Sequence, residues 1–189
     1  MQHWEELFLI AKKFQYFLVF SIWLGLITIW KISSSGHWME GGCVEVVDGD
    51  TIILETSQGS KRVRLMYIDA PESKQKSFRK TKYSKDFFRI GRHSTVALKE
   101  MIENKTVRVF YRNKDRYGRF LGEVFLGGQS INLRMIRKGQ AVIYWFTKFE
   151  TSYQRSTYME ALNYAQRHRQ GIWRVGNFYD PYKWRKKFK

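Results

Sequence analysis

Asp48 and Asp50 flank Gly49 in VVDGDTI, Arg64 stands in KRVRLMYID, and Asp69 and Glu72 bracket the end of that run in DAPE. Hydrolysis of a phosphodiester needs a cation on the phosphoryl oxygens, preorganised donors and a base for the attacking water. Two nearby carboxylates suit a hard cation with oxygen ligands, and Asp50 and Asp69 are the natural pair. A guanidinium binds two phosphate oxygens in its planar fork and stays charged, which suits Arg64 and, much later in the chain, Arg119. Glu72 is then the candidate base.

Each piece also has a plainer reading. Asp-Gly-Asp is an ordinary hairpin turn. Arg64 fits a surface strand position, and Glu72 after Pro71 fits a loop acid. The four histidines are scattered without ligand spacing and read as non-catalytic. Asp50 with Glu72-Ser73-Lys74 also satisfies a degenerate Asp…Glu-x-Lys pattern, which would need magnesium and make Lys74 essential.

These residues must be positioned by strands. Gly42 to Asp48, Thr51 to Glu55 and Arg62 to Ile68 alternate well enough, with turns at Gly49 and at Ser57 to Ser60. Ser73 to Arg92 is basic, aromatic-bearing and without clear period, and is expected to be a loop in which Phe78 or Tyr83 could stack on bases. His93 to Asn104 has helical spacing. Lys105 to Tyr111 and Phe120 to Leu126 read as strands around the charged loop that closes on Arg119. Ile131 to Lys138 and a segment through Tyr158, Ala161, Leu162 and Ala165 read as helices. Five strands interrupted by a helix, without βαβ alternation, predict an α+β fold: a five-stranded OB-fold barrel with packed helices.

The net charge of +17, from 34 Lys+Arg against 17 Asp+Glu, favours a polyanionic partner such as nucleic acid or anionic lipid. The 17% aromatic content argues against disorder. The lone Cys43 excludes an internal disulfide framework and reads as a buried structural thiol.

Residues 14–32 are apolar and uncharged until Lys31. A helix of that length spans roughly 30 Å of hydrocarbon. An uncleaved N-terminal transmembrane helix is favoured over a signal peptide cut near Ser33-Ser34-Ser35-Gly36 and secretion. Lys12 and Lys13 against Lys31 place the amino terminus in the cytoplasm and the domain outside. The expected organisation is a short segment 1–13, the transmembrane helix 14–32, a linker 33–41, a folded domain 42–174 and a basic aromatic tail 175–189. In that tail Trp184 is expected to pack on the domain, with its lysines giving weak electrostatic binding.

VVDGDTI, VRLMYIDAPE, DRYGR and NLRMIRKGQA, in this order and spacing, resemble the staphylococcal nuclease (thermonuclease-like) family from about Gly42 to Arg174. The resemblance implies an OB-fold and a calcium-dependent nuclease of low specificity acting on DNA, RNA or both. By motif, Asp50 and Asp69 would bind Ca2+ with the backbone carbonyl of Ala70. Glu72 would be the general base, and Arg64 and Arg119 would clamp the phosphate. Arg116 and Tyr117 match nucleotide-contacting positions, and counting from Gly139 places Trp145, beside Tyr144, at the nucleotide-facing aromatic. A monomer without a protein partner is expected. The competing class is a non-catalytic, membrane-anchored nucleic-acid-binding module.

Overall fold

Alternating apolar residues build the barrel wall. In the computed structural model of the protein, which describes residues 36–74, 84–175 and 180–188, β1 (His37–Asp48) is followed by β2 (Thr51–Thr56) and β3 (Gly59–Leu65). Ile52, Leu54, Val63 and Leu65 turn into the core, while Arg62 and Arg64 face the other way. Beyond β4 (Ile68–Asp69) and helix α1 (Ser84–Ile102) come β5 (Thr106–Lys114), β6 (Phe120–Leu126) and the short β7 (Gln129–Ser130). Helix α2 (Ile131–Arg137), β8 (Val142–Ile143), α3 (Ser152–Arg167), a 3-10 turn at Gly171–Arg174 and α4 (Pro181–Phe188) complete the chain.

The sheet order is β3-β2-β1-β5-β6-β7, and an additional pairing of β3 with β6 closes five strands into a barrel. This is the expected OB-type α+β architecture, with β4 pairing β8 as a separate two-stranded sheet. One long strand serves two partners: β1 pairs β5 from His37 to Gly42 and β2 from Gly42 to Asp48. At the crossover a Cβ on Gly41 would lie 2.5 Å from the Glu55 carbonyl oxygen, so only glycine lets the strands approach there.

Helix α1 corrects the loop expected over Ser73 to Arg92, since the helix already begins at Ser84. Its buried stripe runs through Phe87, Phe88, Gly91, Ser94, Leu98, Met101 and Ile102. Gly91 and Ser94 carry no apolar signature, and this hides the helical period in the sequence. Phe78 and Tyr83 lie outside the described residues. Strand β1 begins at His37, which shortens the expected linker. Of the apolar run Ala141 to Phe146, only Val142–Ile143 pairs as a strand. The basic tail contains α4, whose Trp184 packs on the domain as expected.

Asn132, fully buried on α2, ties that helix to the barrel. Its side-chain nitrogen donates to the Met66 (2.9 Å) and Gly122 (3.2 Å) carbonyls, and its oxygen accepts from the Val124 amide (3.0 Å). The Met66 carbonyl belongs to the sharp β3–β4 turn, where Tyr67 has φ 67°. That turn carries the chain from Arg64 to Asp69. The expected transmembrane segment 14–32 lies outside the described residues, among which no helix is long and apolar enough to cross a membrane.

Candidate active site

The β1–β2 turn presents the first acids. The Asp50 amide donates to Asp48 Oδ1 at 3.1 Å, which tightens the turn around Gly49. Thr51 and Arg64 are register partners on β2 and β3, so Arg64 rises beside Asp50. Arg64 Nη1 lies 2.5 Å from Asp50 Oδ2, and its Nη2 lies 3.0 Å from Asp69 Oδ1. One guanidinium thus bridges the two carboxylates. The Ala70 amide donates to Asp50 Oδ2 (2.8 Å) and the Thr51 hydroxyl to Oδ1 (3.1 Å). Asp50 and Asp69 are 6% and 1% exposed.

Burial, and next the neighbouring Asp50 carboxylate, push Asp48 up to about 7. Burial likewise pushes Asp69 up to about 6, against the pull of Arg64 and Arg185. For Arg64 burial disfavours the charge, but Asp50, Asp69 and Asp48 outweigh it and raise its pKa. Away from the site, burial pushes the Cys43 thiol up to about 11, consistent with a structural role.

The parallel pairing of β3 with β6 brings in Arg119. Val63 is in register with Phe120 and Arg64 with Leu121, which sets the residue before Phe120 at the mouth of the β2–β3 pair. Arg119 Nη1 reaches 3.5 Å from the Thr51 hydroxyl. Its other side is held by Asp115, whose Oδ2 accepts from Nε at 2.7 Å. Asp115 Oδ1 also accepts the Tyr117 and Arg119 amides at 2.8 and 3.0 Å, so one carboxylate shapes the loop and aims the arginine. Burial pushes Asp115 up, but these bonds and the Arg119 charge together outweigh it and hold the carboxyl below the usual range.

Glu72 stands beside Asp69 through a shared partner rather than a direct bond. Its backbone packs against α1: a Cβ on Gly91 would lie 2.0 Å from the Glu72 carbonyl oxygen. A Cβ on Gly49 would likewise press on Ala70 and Ser94, at 2.7 and 2.8 Å. Helix α1 therefore buttresses both site loops through small residues.

Four expected site residues, Asp50, Arg64, Asp69 and Glu72, come together with Arg119 at the rim. Arg116 and Tyr117 lie further out on the Arg119 loop, bonded to each other at 2.8 Å, and Tyr117 is 65% exposed. Trp145 is exposed and stacks on Tyr182 of α4 with ring centroids 5.9 Å apart. Lys74 is exposed.

Sequence reasoning missed Arg185. Its Nη2 lies 2.5 Å from Asp69 Oδ2 and its Nη1 3.0 Å from Glu72 Oε1. No local signal marks it among the neighbouring cations. Asp115 was also missed, although Asp-x-x-Gly-Arg between strands is a recognisable turn signal.

Among the described residues no group of three or more His, Cys, Asp or Glu side chains gathers as a metal site. Asp50 and Asp69 nevertheless bring two buried carboxylates close together. These are hard oxygen ligands that fit a calcium-type cation and leave coordination places for water and substrate.

The family model for staphylococcal nuclease homologues matches residues 62–175. The chain is 36% identical over 149 residues to a protein named an uncharacterized endonuclease from Escherichia coli O157:H7, covering 78% of this chain and 85% of that one. It is 34% identical over 155 residues to a micrococcal nuclease of Shigella flexneri, covering 77% and 80%. A Haemophilus influenzae protein named an uncharacterized endonuclease shares 32% over 169 residues, covering 87% and 84%. The matched family segment includes Arg64, Asp69, Glu72 and Arg119, and by this likeness the chain belongs to the staphylococcal nuclease homologue family, as a nuclease that hydrolyses phosphodiester bonds.

Proposed function

We propose that this nuclease cleaves DNA and RNA with low specificity, using a calcium ion held by Asp50 and Asp69 and, as the resemblance implies, by the Ala70 carbonyl. The bridging of both carboxylates by Arg64, with Arg119 closed in beside Thr51, is the observation that carries this reading. Calcium at these oxygens supplies positive charge to a phosphoryl oxygen and to water.

The chain's own residues do the rest. Arg64 leaves one carboxylate contact to donate its fork to a phosphate oxygen. Arg119, aimed by Asp115, donates to the phosphoryl oxygens as negative charge builds on them. Glu72 takes the proton of the attacking water. Arg116 and Tyr117 contact the nucleotide, and the exposed ring of Trp145 offers a base a stacking surface. Separately, residues 14–32 tether the enzyme to a membrane with the domain on the extracytoplasmic side, a reading supported by the length of the apolar run.

Purified full-length protein is expected to degrade both DNA and RNA with calcium and to stop on addition of a calcium-selective chelator. Activity that persists with magnesium alone and vanishes on Lys74→Ala would instead establish the Asp…Glu-x-Lys mechanism. The tether is tested by alkaline carbonate extraction of cells: the enzyme should stay with the membranes, and release into the soluble fraction would refute it.

A further inference from the structure

Helix α4 delivers a cation into the carboxylate site, and what holds the helix there is independent of that cation. Trp184 is fully buried, stacked on Phe87 at 4.1 Å and 7°, edge-on to Phe88 and in contact with Phe188 at 4.4 Å. Phe87, Phe88 and Trp184 form a hydrophobic cluster of their own at the start of α1. Aromatic burial on this scale supplies the docking energy. Arg185, the next residue, is thereby pointed at Asp69 and Glu72. On α4's other flank Tyr182 meets Trp145 and Phe146.

The two carboxylate oxygens of Asp69 are both committed: Oδ1 to Arg64 at 3.0 Å and Oδ2 to Arg185 at 2.5 Å. A divalent cation on Oδ2 and a guanidinium at contact distance from the same oxygen repel one another. The Arg185 side chain is 25% exposed, so it has a solvent side into which it can swing while Trp184 stays seated. Its withdrawal would also uncover Glu72 Oε1, which it binds at 3.0 Å.

We propose that Arg185 is a built-in competitor of the divalent cation: guanidinium and metal are alternative partners of Asp69, and metal binding drives Arg185 off both Asp69 and Glu72. This deepens the calcium reading and rests on it. The device couples loading of the site to release of the base, because one side chain blocks both. A polyanionic substrate lying along the site would favour the same displacement by offering Arg185 a phosphate instead.

The test is calcium affinity of the full-length protein by isothermal titration calorimetry, comparing wild type with Arg185→Ala, Arg185→Gln and Arg185→Lys. Near-ultraviolet circular dichroism checks that the Trp184 packing persists. Removing the charge should tighten calcium binding about tenfold or more, the scale of a close, partly desolvated charge pair. Lysine should fall between. In wild type the Arg185 Nε–H nuclear magnetic resonance, assigned by its loss in Arg185→Lys, should exchange with water faster once calcium saturates. Equal or weaker calcium affinity in the Ala and Gln variants, with wild type binding normally, overturns the competitor and makes Arg185 a positioning residue. Absence of calcium binding in wild type and all variants overturns the calcium reading itself, and the competitor with it.

Discussion

Arg119 Nη1 lies 3.5 Å from the Thr51 hydroxyl, although 68 residues separate them. The contact exists because β3 and β6 run parallel across the closing seam of the barrel, and it fixes a second guanidinium at the edge of the acid cluster. Arg119→Ala should therefore lower kcat about 10²–10³-fold, the usual cost of removing one preorganised oxyanion donor. Thermal unfolding should shift little, since the pair with Asp115 is a partly exposed bond within one loop. Steady-state kinetics beside calorimetry checks both. Asp115→Ala should cost activity too, but with a loosened loop, because it removes three contacts at once.

Glu72→Gln keeps the shape of the site and removes the base. A loss of about 10²–10⁴-fold in kcat is expected, the range for a positioned general base. Calcium affinity, read by titration calorimetry, should remain or tighten, since glutamine holds Arg185 less strongly than a carboxylate does.

Gly91→Ala tests the buttress. The added Cβ would meet the Glu72 carbonyl oxygen at 2.0 Å, and its nearest neighbours are all backbone of Pro71 and Glu72, which leaves little room to relax. Denaturant unfolding should show a loss of about 1–3 kcal/mol, the usual cost of overpacking. Activity should fall further than the loss of stability alone explains, because Glu72 moves. An unchanged kcat in the folded Ala variant would mean that α1 does not position the base.

The acid cluster makes both stability and metal binding depend on pH, with opposite signs. The folded-state pKa of Asp48, about 7, lies above its ordinary value of 3.8, and Asp69 is raised to about 6. The folded protein therefore binds more protons than the unfolded chain across this window. The contribution of these groups to stability is full below the ordinary value and is lost as pH rises through about 7. Metal binding needs the ionised carboxylates and should strengthen over the same rise. Scanning calorimetry with chelator from pH 5 to 8 should show this contribution decline, and Asp48→Asn should flatten it. Calcium titrations at the two ends should show tighter binding at the alkaline end.

Much of the site was legible because its signals are short-range. Asp50, Arg64, Asp69 and Glu72 lie within one hairpin and the turn that follows, where alternation and turn residues already determine which side chains share a face. The second half of α1 was legible from His93 onward, but its first half was not, because Gly91 and Ser94 are buried for close backbone approach rather than for apolar area. Nothing in an apolar pattern announces such residues.

The sequence by itself determined the chemistry on offer: carboxylates for a hard cation, guanidiniums for phosphate, strands that alternate, and a charge suited to polyanions. It also offered Arg64 and Arg119 as the guanidiniums; tertiary structure decided how Arg119 is brought to the site and that Arg185 joins it. Arg119 arrives through the register of the barrel seam, and Arg185 through the stacking of Trp184 on Phe87. Both depend on contacts between elements far apart in the chain. Among 34 Lys and Arg residues, local sequence does not distinguish Arg185, which that packing delivers to Asp69 and Glu72.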